Sequence, residues 1–593
     1  MTSGRPSAPE LTLPRVARVL PDVTGLDKEF DYLVPPDLAD QIRVGSIVRV
    51  PLHGRSVRGW VVQLNPPDLS FDIDRIRPVA KVSSWGPGAD VIELAGWASV
   101  RWGAGRLRPF LVAGSPPINV PGLPPRRRSA TRIEPVHPGA AELLAGGGGV
   151  LRLPPSDDIV PVLAAAARLG PTLVVGPSPD RARLDAIRLR RSGLSVAHVP
   201  QEWAAAAAGV DVVIGSRTAA WAPCPDLAAI VVVDEHDEAL QEERSPTWHG
   251  RDVAVERGRR AGAPVLLVSP CPTVVGLAAA GERLRKPAID VERAGWPIVE
   301  VVDRSRDEPW RTSLVSSPLI AHLRRADHTV VCVHNTPGRA RVLACRACRA
   351  LVRCERCEAA VGLSDDGNLV CRRCGSVRPP VCLVCGGTAF ANLKPGVTRL
   401  REELEAAAGR PVVAVTGRDY EPPPAAGVYV GTEAVLHRVR GADVVAFLDI
   451  DVELLAPRYR AAEQAMALLV RAARLLGPRR ELPDGRLLLQ TFLPRHEVVQ
   501  AALLADPGRL TERERERRRS LDLPPFSALA SITGPGSDGV ADALRTVPGV
   551  TVGGGADRYV ARAASWDDLG RALIAAPRPK ASRVRIAVDP PRL

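Results

Sequence analysis

Short runs of alternating polar and apolar residues open the chain. Between Arg15 and about Val82, the segments ARVLPDV, FDYLV, GSIVRVPL and RGWVVQL alternate Arg and apolar residues at a period of two. Such alternation predicts strands with one buried face, and hence a small, curved, half-buried sheet. A mostly helical piece follows from about Val91 to Leu111, and we assign residues 1–112 to one β-rich N-terminal domain.

A stretch rich in Pro and Gly comes next. It includes PGLPPRRRSATR and the glycines from Gly146 to Gly149, a composition typical of loops. We therefore predict a linker over residues 113–150. Its consecutive arginines, Arg126 to Arg128, are interpreted as a solvated charge run rather than a phosphate contact.

Continuous apolar runs replace the alternation from Leu151 onwards. TLVVG, VDVVIG, AIVVVDE and PVLLVS are separated by helical stretches, and a second series contains TVVCVHN, PVVAVTG, GVYVG, ADVVAFLDID and RLLLQTF. Uninterrupted apolar strands are typical of parallel sheets covered on both faces. The pattern predicts two tandem α/β lobes, residues 151–300 and residues 301–344 with 386–504. The tail, residues 505–593, opens with the charged helix ERERERRR and predicts a small α/β C-terminal domain.

Eight of the eleven cysteines lie within residues 345–385, an insert in the second lobe. They form four Cys-x-x-Cys pairs: Cys345/Cys348, Cys354/Cys357, Cys371/Cys374 and Cys382/Cys385. Two thiolates three positions apart can face one tetrahedral ion, so each pair is half of a Cys₄ zinc site. The insert is therefore predicted to hold two structural Zn²⁺ ions with no open coordination position.

The sequence leaves the pairing of these half-sites open. A nested arrangement places Cys354, Cys357, Cys371 and Cys374 around one ion and Cys345, Cys348, Cys382 and Cys385 around the other. The sequential alternative joins the first pair to the second and the third to the fourth. We favour nesting, because the gap between the inner pairs is close to zinc-ribbon spacing and because nesting fixes both ends of the insert.

The charge balance narrows the class of partner. Lys and Arg number 79 against 66 Asp and Glu, which gives a net charge of +13. Positive charge together with zinc knuckles favours a polyanion such as nucleic acid. No segment has the roughly 18 consecutive apolar residues of a membrane span, and no apolar signal region is visible at the N-terminus. We expect no membrane partner and a cytoplasmic, nucleoid-associated location, where thiolates stay reduced.

The amino-acid sequence resembles one family over nearly its whole length. The first lobe contains IGSRTAAWAPCPDLAAIVVVDEHDEAL and WHGRDVAVERG, and later segments include VGTEAVL, AFLDIDVELLAPRYRAAEQ, LLLQTF and LPPF. With the Cys₈ insert, these segments resemble the family of the replication restart protein PriA (primosomal protein N′). The resemblance implies two RecA-like lobes of a DNA helicase that binds forked or branched DNA and single-stranded DNA. It also implies partners among primosome proteins, replicative-helicase-loading proteins and single-stranded DNA-binding protein.

The phosphate-binding loop of such a helicase is degenerate here. A P-loop needs glycine amides and a Lys for the phosphates and a Ser or Thr for magnesium. The matching segment reads LRLPPSDDIVPV, which has no Gly or Lys and contains Asp157 and Asp158. We therefore expect no ATP or Mg²⁺ cofactor.

Other motor motifs agree with this expectation. Val233 stands at the first position of the family's DEEH box, and only the following three residues match, namely Asp234, Glu235 and His236. The family's arginine-finger segment QVAGRAGR reads RAARLLGP, from Arg471 to Pro478, with no Arg at the finger positions. We assign no catalytic residue.

The resemblance also implies a pocket for a DNA 3′ end in the N-terminal domain. There an aromatic residue stacks on the terminal base, and an Asp with a backbone amide binds the 3′-hydroxyl. The matching residues are Phe30, Asp31, Tyr32, Gly45 and Arg77. The alternative is that Phe30 and Tyr32 only face the strand core. The family's winged-helix region corresponds to the Pro/Gly linker and is shortened here.

Three functions are compatible with the sequence. We favour a fork-binding, primosome-assembly protein that has kept the shape of a helicase without its motor. The second is an active ATP-dependent 3′–5′ DNA helicase with an unorthodox nucleotide site. The third is a zinc-ribbon scaffold that never binds DNA, which would show no salt-dependent affinity for forked oligonucleotides.

Overall fold

The computed structural model describes residues 15–69, 72, 75–129, 134–306, 313–335, 343–348, 350–364, 366–371, 373–392, 397–415, 422–479, 481–577 and 584–592. Within them the predicted multidomain α/β fold is confirmed, with an N-terminal β domain, two parallel-sheet lobes, a cysteine-rich insert and a C-terminal α/β domain. No helix in the described part of the chain has the length and apolar character needed to cross a bilayer.

The N-terminal domain is built on five antiparallel strands: β1 (Val16–Pro21), β2 (Phe30–Leu33), β3 (Ile47–Leu52), β4 (Arg55–Leu64) and β5 (Lys81–Ser84). Their order is β2-β1-β4-β3-β5. The predicted alternation holds, since Val48 and Val50 are fully buried while Arg49 between them is exposed. A bridge from Leu33 to Pro78 links β2 to the segment that leads into β5, so the sheet curls toward a closed barrel.

Two helices, α1 (Ala89–Arg101) and α2 (Arg108–Gly114), connect this sheet to the rest of the molecule. Their apolar residues share one buried core with the first lobe and the C-terminal domain. For example, the rings of Phe110 and Trp221 lie 5.4 Å apart. The N-terminal domain is therefore fixed to its neighbours by packing.

Seven strands form the first lobe: β6 (Gly148–Arg152), β7 (Thr172–Val175), β8 (Val196–Val199), β9 (Val212–Gly215), β10 (Ala229–Val233), β11 (Val265–Ser269) and β12 (Leu284–Arg285). They are parallel, in the order β12-β6-β11-β10-β7-β9-β8. The helices of this lobe are α3 (Pro138–Ala145), α4 (Val160–Ala167), α5 (Pro179–Arg191), α6 (Trp203–Ala208), α7 (Gly250–Ala261), α8 (Val274–Ala279) and α9 (Ile289–Ala294).

The second lobe begins with β13 (Ile298–Asp303), α10 (Ser317–Leu323) and β14 (Val330–Val333). The cysteine-rich insert follows, with β15 (Leu343–Cys345), β16 (Val361–Leu363), β17 (Leu369–Cys371), β18 (Val377–Arg378) and β19 (Phe390–Asn392). The lobe resumes with α11 (Val397–Ala408), β20 (Val413–Val415), β21 (Val428–Gly431), α12 (Val435–Arg438), β22 (Val444–Phe447), α13 (Asp451–Leu454), α14 (Ala461–Leu476), β23 (Arg486–Thr491) and α15 (Glu497–Leu503). The lobe's sheet is parallel, in the order β13-β23-β22-β14-β21-β20.

The C-terminal part consists of α16 (Gly508–Ser520), β24 (Ala528–Thr533), α17 (Ser537–Arg545), β25 (Thr551–Gly555), β26 (Arg558–Ala563), α18 (Trp566–Ala575) and β27 (Arg585–Val588). Its antiparallel sheet has the order β25-β26-β24-β27. Helix α18 packs closely on α1, because a Cβ at Gly570 would lie only 1.9 Å from the Val100 carbonyl oxygen. Helices of the N-terminal and C-terminal domains are therefore in direct contact.

Three boundaries differ from the prediction. Helix α3 and the start of β6 lie within the predicted linker, 113–150, and pack with the first lobe. Gly148 has a φ of 102°, and a Cβ there would lie 2.3 Å from the Val265 carbonyl oxygen, so this glycine serves a tight strand contact rather than a loop.

Strand β13 starts at Ile298, before the predicted start of the second lobe at 301. Helix α16 packs on α8, α14 and α15, whereas we predicted it as part of the C-terminal domain.

Candidate functional site

The eight cysteines of the insert form two tetrads. Cys345, Cys348, Cys382 and Cys385 make one, Cys354, Cys357, Cys371 and Cys374 make the other, and the sulfur atoms of each tetrad lie within 4.8 Å of one another. The Sγ atoms of Cys345 and Cys385 are 3.5 Å apart, and those of Cys357 and Cys371 are 3.4 Å apart. The arrangement in the structure is the nested one.

The geometry of both tetrads fits zinc. Four Zn–S bonds of about 2.3 Å at tetrahedral angles put sulfurs roughly 3.8 Å apart, close to the distances found. Gly375 and Gly386, which follow the second half-site of each tetrad, both have a φ of 74°. Their amides donate to the carbonyls of Cys371 and Cys382, each at 2.9 Å, which makes the tight turn that points paired thiolates at one ion. With four thiolate ligands, an ion at either site has no position left for water.

The insert is docked on the second lobe close to α13. The Ala360 amide donates to the Leu455 carbonyl at 2.8 Å, and Ala360, Val452 and Leu455 form a small apolar cluster. Arg373 donates to the Tyr459 carbonyl at 3.4 Å. The insert therefore lies against the segment that leads into α14.

A cavity of about 420 Å³ lies between the lobes, where the carboxyl ends of the first sheet's strands face α14. One side is the segment after β6, which was predicted to be a degenerate P-loop. There the Asp158 carboxylate accepts a bond from Arg188 at 2.8 Å and one from the Val160 amide at 3.1 Å. Asp157 lines the cavity, and the described residues around it include no lysine. On this side Asp157 and Asp158 stand where a P-loop has glycine amides and a Lys, while Arg181, Arg471 and Arg474 line other parts of the cavity.

Arg474 of α14 crosses this cavity to the first lobe. Its Nη1 and Nη2 donate to the two carboxylate oxygens of Asp234 at 2.7 and 2.5 Å, and its Nε donates to the Pro155 carbonyl at 3.1 Å. One helical turn earlier, Arg471 donates to Asp237 at 3.1 Å. Burial alone would raise the pKa of Asp234, but Arg474 outweighs burial and lowers it. The cation and carboxylate that could face a magnesium nucleotide are thus bonded to each other.

The remaining DEH residues have internal partners as well. Glu235 is fully buried and accepts bonds from the Thr273 amide at 2.7 Å, the Thr273 hydroxyl at 2.9 Å and Arg251 at 3.2 Å. The His236 ring shares a hydrogen bond of 2.8 Å with the Ser269 hydroxyl. Burial raises the pKa of Glu235 and lowers that of His236. These contacts tie the end of β10 to β11 and α8.

The aromatic residues of the predicted 3′-end pocket lie on β2. Tyr32 is 4% exposed, belongs to the core of the sheet and donates from its hydroxyl to the Pro51 carbonyl at 3.2 Å. Phe30 is half-buried at the edge of the same core, and Lys28 Nζ lies 5.6 Å from its ring centroid. Of the two rings, Phe30 is the less buried.

The polar residues of the predicted pocket have hydrogen bonds within the domain. Asp31 accepts bonds from Arg18 at 2.8 and 3.2 Å, and the carbonyl of Arg77 accepts the Leu33 amide beside β2. The Gly45 amide donates to the Val61 carbonyl of β4 at 2.7 Å. With a φ of 93° and the Pro87 carbonyl oxygen 1.8 Å from a hypothetical Cβ, position 45 accepts only glycine.

Comparison with known proteins finds similar sequences over most of the chain. Residues 18–105 match the PriA 3′ DNA-binding domain (3′BD). The probable replication restart protein PriA of Mycobacterium tuberculosis is 29% identical over 86% of this chain and 85% of that protein. That of Mycobacterium leprae is 28% identical, with 86% of each chain covered. The chain is similar to PriA proteins over most of its length. The Bacillus subtilis PriA matches at 26% identity over 58% of this chain and 46% of that protein.

Sequence reasoning missed the contacts that Arg471 and Arg474 make with the first lobe. Neither occupies a finger position of the family's segment, so both were passed over. A signal was available, because arginines three apart lie on one face of a helix. On a helix that borders the cleft, that face reaches the first lobe.

Proposed function

We propose that this chain binds forked or branched DNA at a free 3′ end in replication restart, and that it hydrolyses no ATP. The match of residues 18–105 to a 3′ DNA-binding domain carries the first half of the proposal. In this role the protein holds a fork for primosome proteins, helicase-loading proteins and single-stranded DNA-binding protein. Unwinding is then supplied by a partner.

The Arg474–Asp234 ion pair carries the second half. A triphosphate in a P-loop enzyme lies over glycine amides and a Lys, with magnesium held by a hydroxyl and an acidic residue. Here a nucleotide would have to displace Arg474 from both oxygens of Asp234 and from the Pro155 carbonyl. It would gain contact with Asp157, which repels it.

We expect ATP hydrolysis at the level of the buffer blank, with or without forked DNA, in a phosphate-release assay. Mg²⁺-ATP should also leave the melting temperature unchanged, because a ligand stabilises only the state that binds it. A DNA-stimulated rate that survives purification and disappears in a folded Glu235→Gln variant would contradict this. The chain would then be an active ATP-dependent 3′–5′ helicase.

A free 3′-hydroxyl at the branch should strengthen fork binding. We expect a fork with a 3′-OH to bind about tenfold or more tightly than the same fork ending in a 3′-phosphate, since a hydrogen bond to a charged group is worth about 1.5–3 kcal/mol. The measurement is fluorescence anisotropy at fixed salt.

The Asp31→Asn variant should lose this discrimination, whereas Asp40→Asn, at an exposed carboxylate of the same domain, should keep it. Equal affinity of the wild type for both forks would contradict the proposal that a pocket recognises the 3′-hydroxyl. If the chain showed no salt-dependent affinity for any fork, the DNA-binding functions would be excluded and a zinc-ribbon scaffold that does not bind DNA would remain.

A further inference from the structure

Three cations form a row across the outer face of the N-terminal sheet. Arg49 on β3 is paired in register with Arg58 on β4 and with Lys81 on β5. Residues directly opposite in paired strands point to the same face. Arg49 and Lys81 are exposed, and Arg58 is half-buried.

No described carboxylate forms an ion pair with this row. Like charges directly opposite one another destabilise a sheet. The same sheet contains the usual solution elsewhere, since Arg18 on β1 is opposite Asp31 on β2 and bonded to it at 2.8 Å. In the row, Arg49 Nη1 reaches only the Ser56 carbonyl at 3.3 Å, and the buried Nε of Arg58 has no hydrogen-bond partner. An anion on this face would supply the counter-charge that the described carboxylates do not supply to these three cations.

The row has the dimensions of a short length of nucleic-acid backbone. Neighbouring strands are about 4.8 Å apart, so three strands place their cations over roughly 10 Å. One DNA strand carries a phosphate for each 3.4 Å or so of its axis, and the row therefore covers about three phosphates. The segment leading into Lys81 begins at Arg77, whose carbonyl accepts the Leu33 amide at 2.9 Å beside β2. The row thus continues toward the predicted 3′-end pocket.

We propose that Arg49, Arg58 and Lys81 form a phosphate track for the backbone of the DNA strand whose 3′ end enters the pocket at Phe30. The contact is charge to phosphate and carries no base preference, so it fixes the strand's path and not its sequence. This inference rests on the proposed DNA binding. It adds a surface outside the 3′-end pocket.

The test is the salt dependence of binding to a 3′-OH fork, measured on the full chain. Each phosphate contact contributes about 0.7–0.9 to the slope of log K against log salt. The triple variant R49Q/R58Q/K81Q should therefore lower the magnitude of the slope by about 2–3 and weaken binding near 0.1 M salt about tenfold or more. Discrimination between 3′-OH and 3′-phosphate forks should remain. The R49K/R58K variant, which keeps the charges, should retain the wild-type slope.

A matched control removes three positive charges outside this domain. R191Q/R558Q/R562Q changes the last residue of α5 in the first lobe and two arginines on β26. None of the three forms an ion pair within the described residues. It should leave the slope near the wild-type value. An equal fall in both triple variants would reduce the effect to net charge and remove the track. A folded R49Q/R58Q/K81Q variant with the wild-type slope would also remove it, while fork binding by the wild type would leave the proposed function intact. Absence of any fork binding by the wild type would end both.

Discussion

Replacing Cys371 with Ser is expected to lower the zinc content of the purified chain from two ions to one and to unfold the inner part of the insert. The apolar core around this tetrad includes three of its own ligands, Cys354, Cys357 and Cys371. Without the ion, those sulfurs cannot be held as buried thiolates, and little apolar surface remains to hold the strands. Structural zinc contributes about 10–16 kcal/mol in small zinc-finger peptides, so the loss exceeds what this core can replace.

Elemental analysis and hydrogen exchange measure the two parts of this result. In the nested arrangement Cys345, Cys348, Cys382 and Cys385 are untouched, so amides around them should keep their protection while residues 350–378 lose theirs. Cys224→Ser is the matched control, because Cys224 is buried in the first lobe and belongs to neither tetrad. Two zinc ions in the Cys371→Ser variant would contradict the assignment. Loss of protection at Cys382 and Cys385 would favour the sequential pairing.

The sheets could be predicted because their signals are local. Period-two alternation gave the strands of the N-terminal domain, and unbroken apolar runs gave the parallel strands of both lobes. Local composition misled where a residue served a distant contact. Gly148 stands in a glycine run typical of a linker. It is a glycine because its backbone packs against Val265, more than a hundred residues further along the chain. Likewise, no feature in the sequence of the charged helix α16 predicts that it packs on α8, α14 and α15.

The candidate site divides in the same way. The cysteine spacing determined four half-sites, and the nested tetrads follow from a chain that folds back on itself. Asp234 was identified from its strand end, but its partner Arg474 lies 240 residues away. Which charged residues of the two lobes form ion pairs depends on how the lobes dock. No local sequence pattern predicts that docking. The predicted 3′-end residues stay a prediction.

Arg518→Met is expected to destabilise the packing of α16 by about 3–5 kcal/mol, the typical effect of removing one member of a buried ion pair. The Arg518 side chain is fully buried, and it bonds Glu514 at 2.9 Å and Glu463 at 2.5 Å. Methionine fills similar space but leaves Glu463 without this cation, and it leaves Glu514 with Arg517 alone, at 2.7 Å. Arg513→Met is the control, because Arg513 is exposed on the same helix and has no ion pair among the described residues.

Native-state hydrogen exchange is the suitable measurement, since a multidomain chain does not unfold in one step. Amides of α16 should exchange roughly a hundredfold or more faster in Arg518→Met, and at the wild-type rate in Arg513→Met. Equal rates in Arg518→Met and the wild type would show that packing alone holds the helix.

The same experiment tests whether ion pairs hold the lobes together. Glu463 lies on α14 and also accepts the Val274 amide of the first lobe at 2.9 Å, while Arg474 on the same helix bonds Asp234. Helix α14 is therefore bonded to the first lobe at both ends by groups within the chain. If these bonds take the place of a nucleotide, opening at α16 should spread to the segment at 153–158, whose amides should also exchange faster. Exchange confined to α16 would mean that the contacts of α14 with the first lobe hold without Arg518.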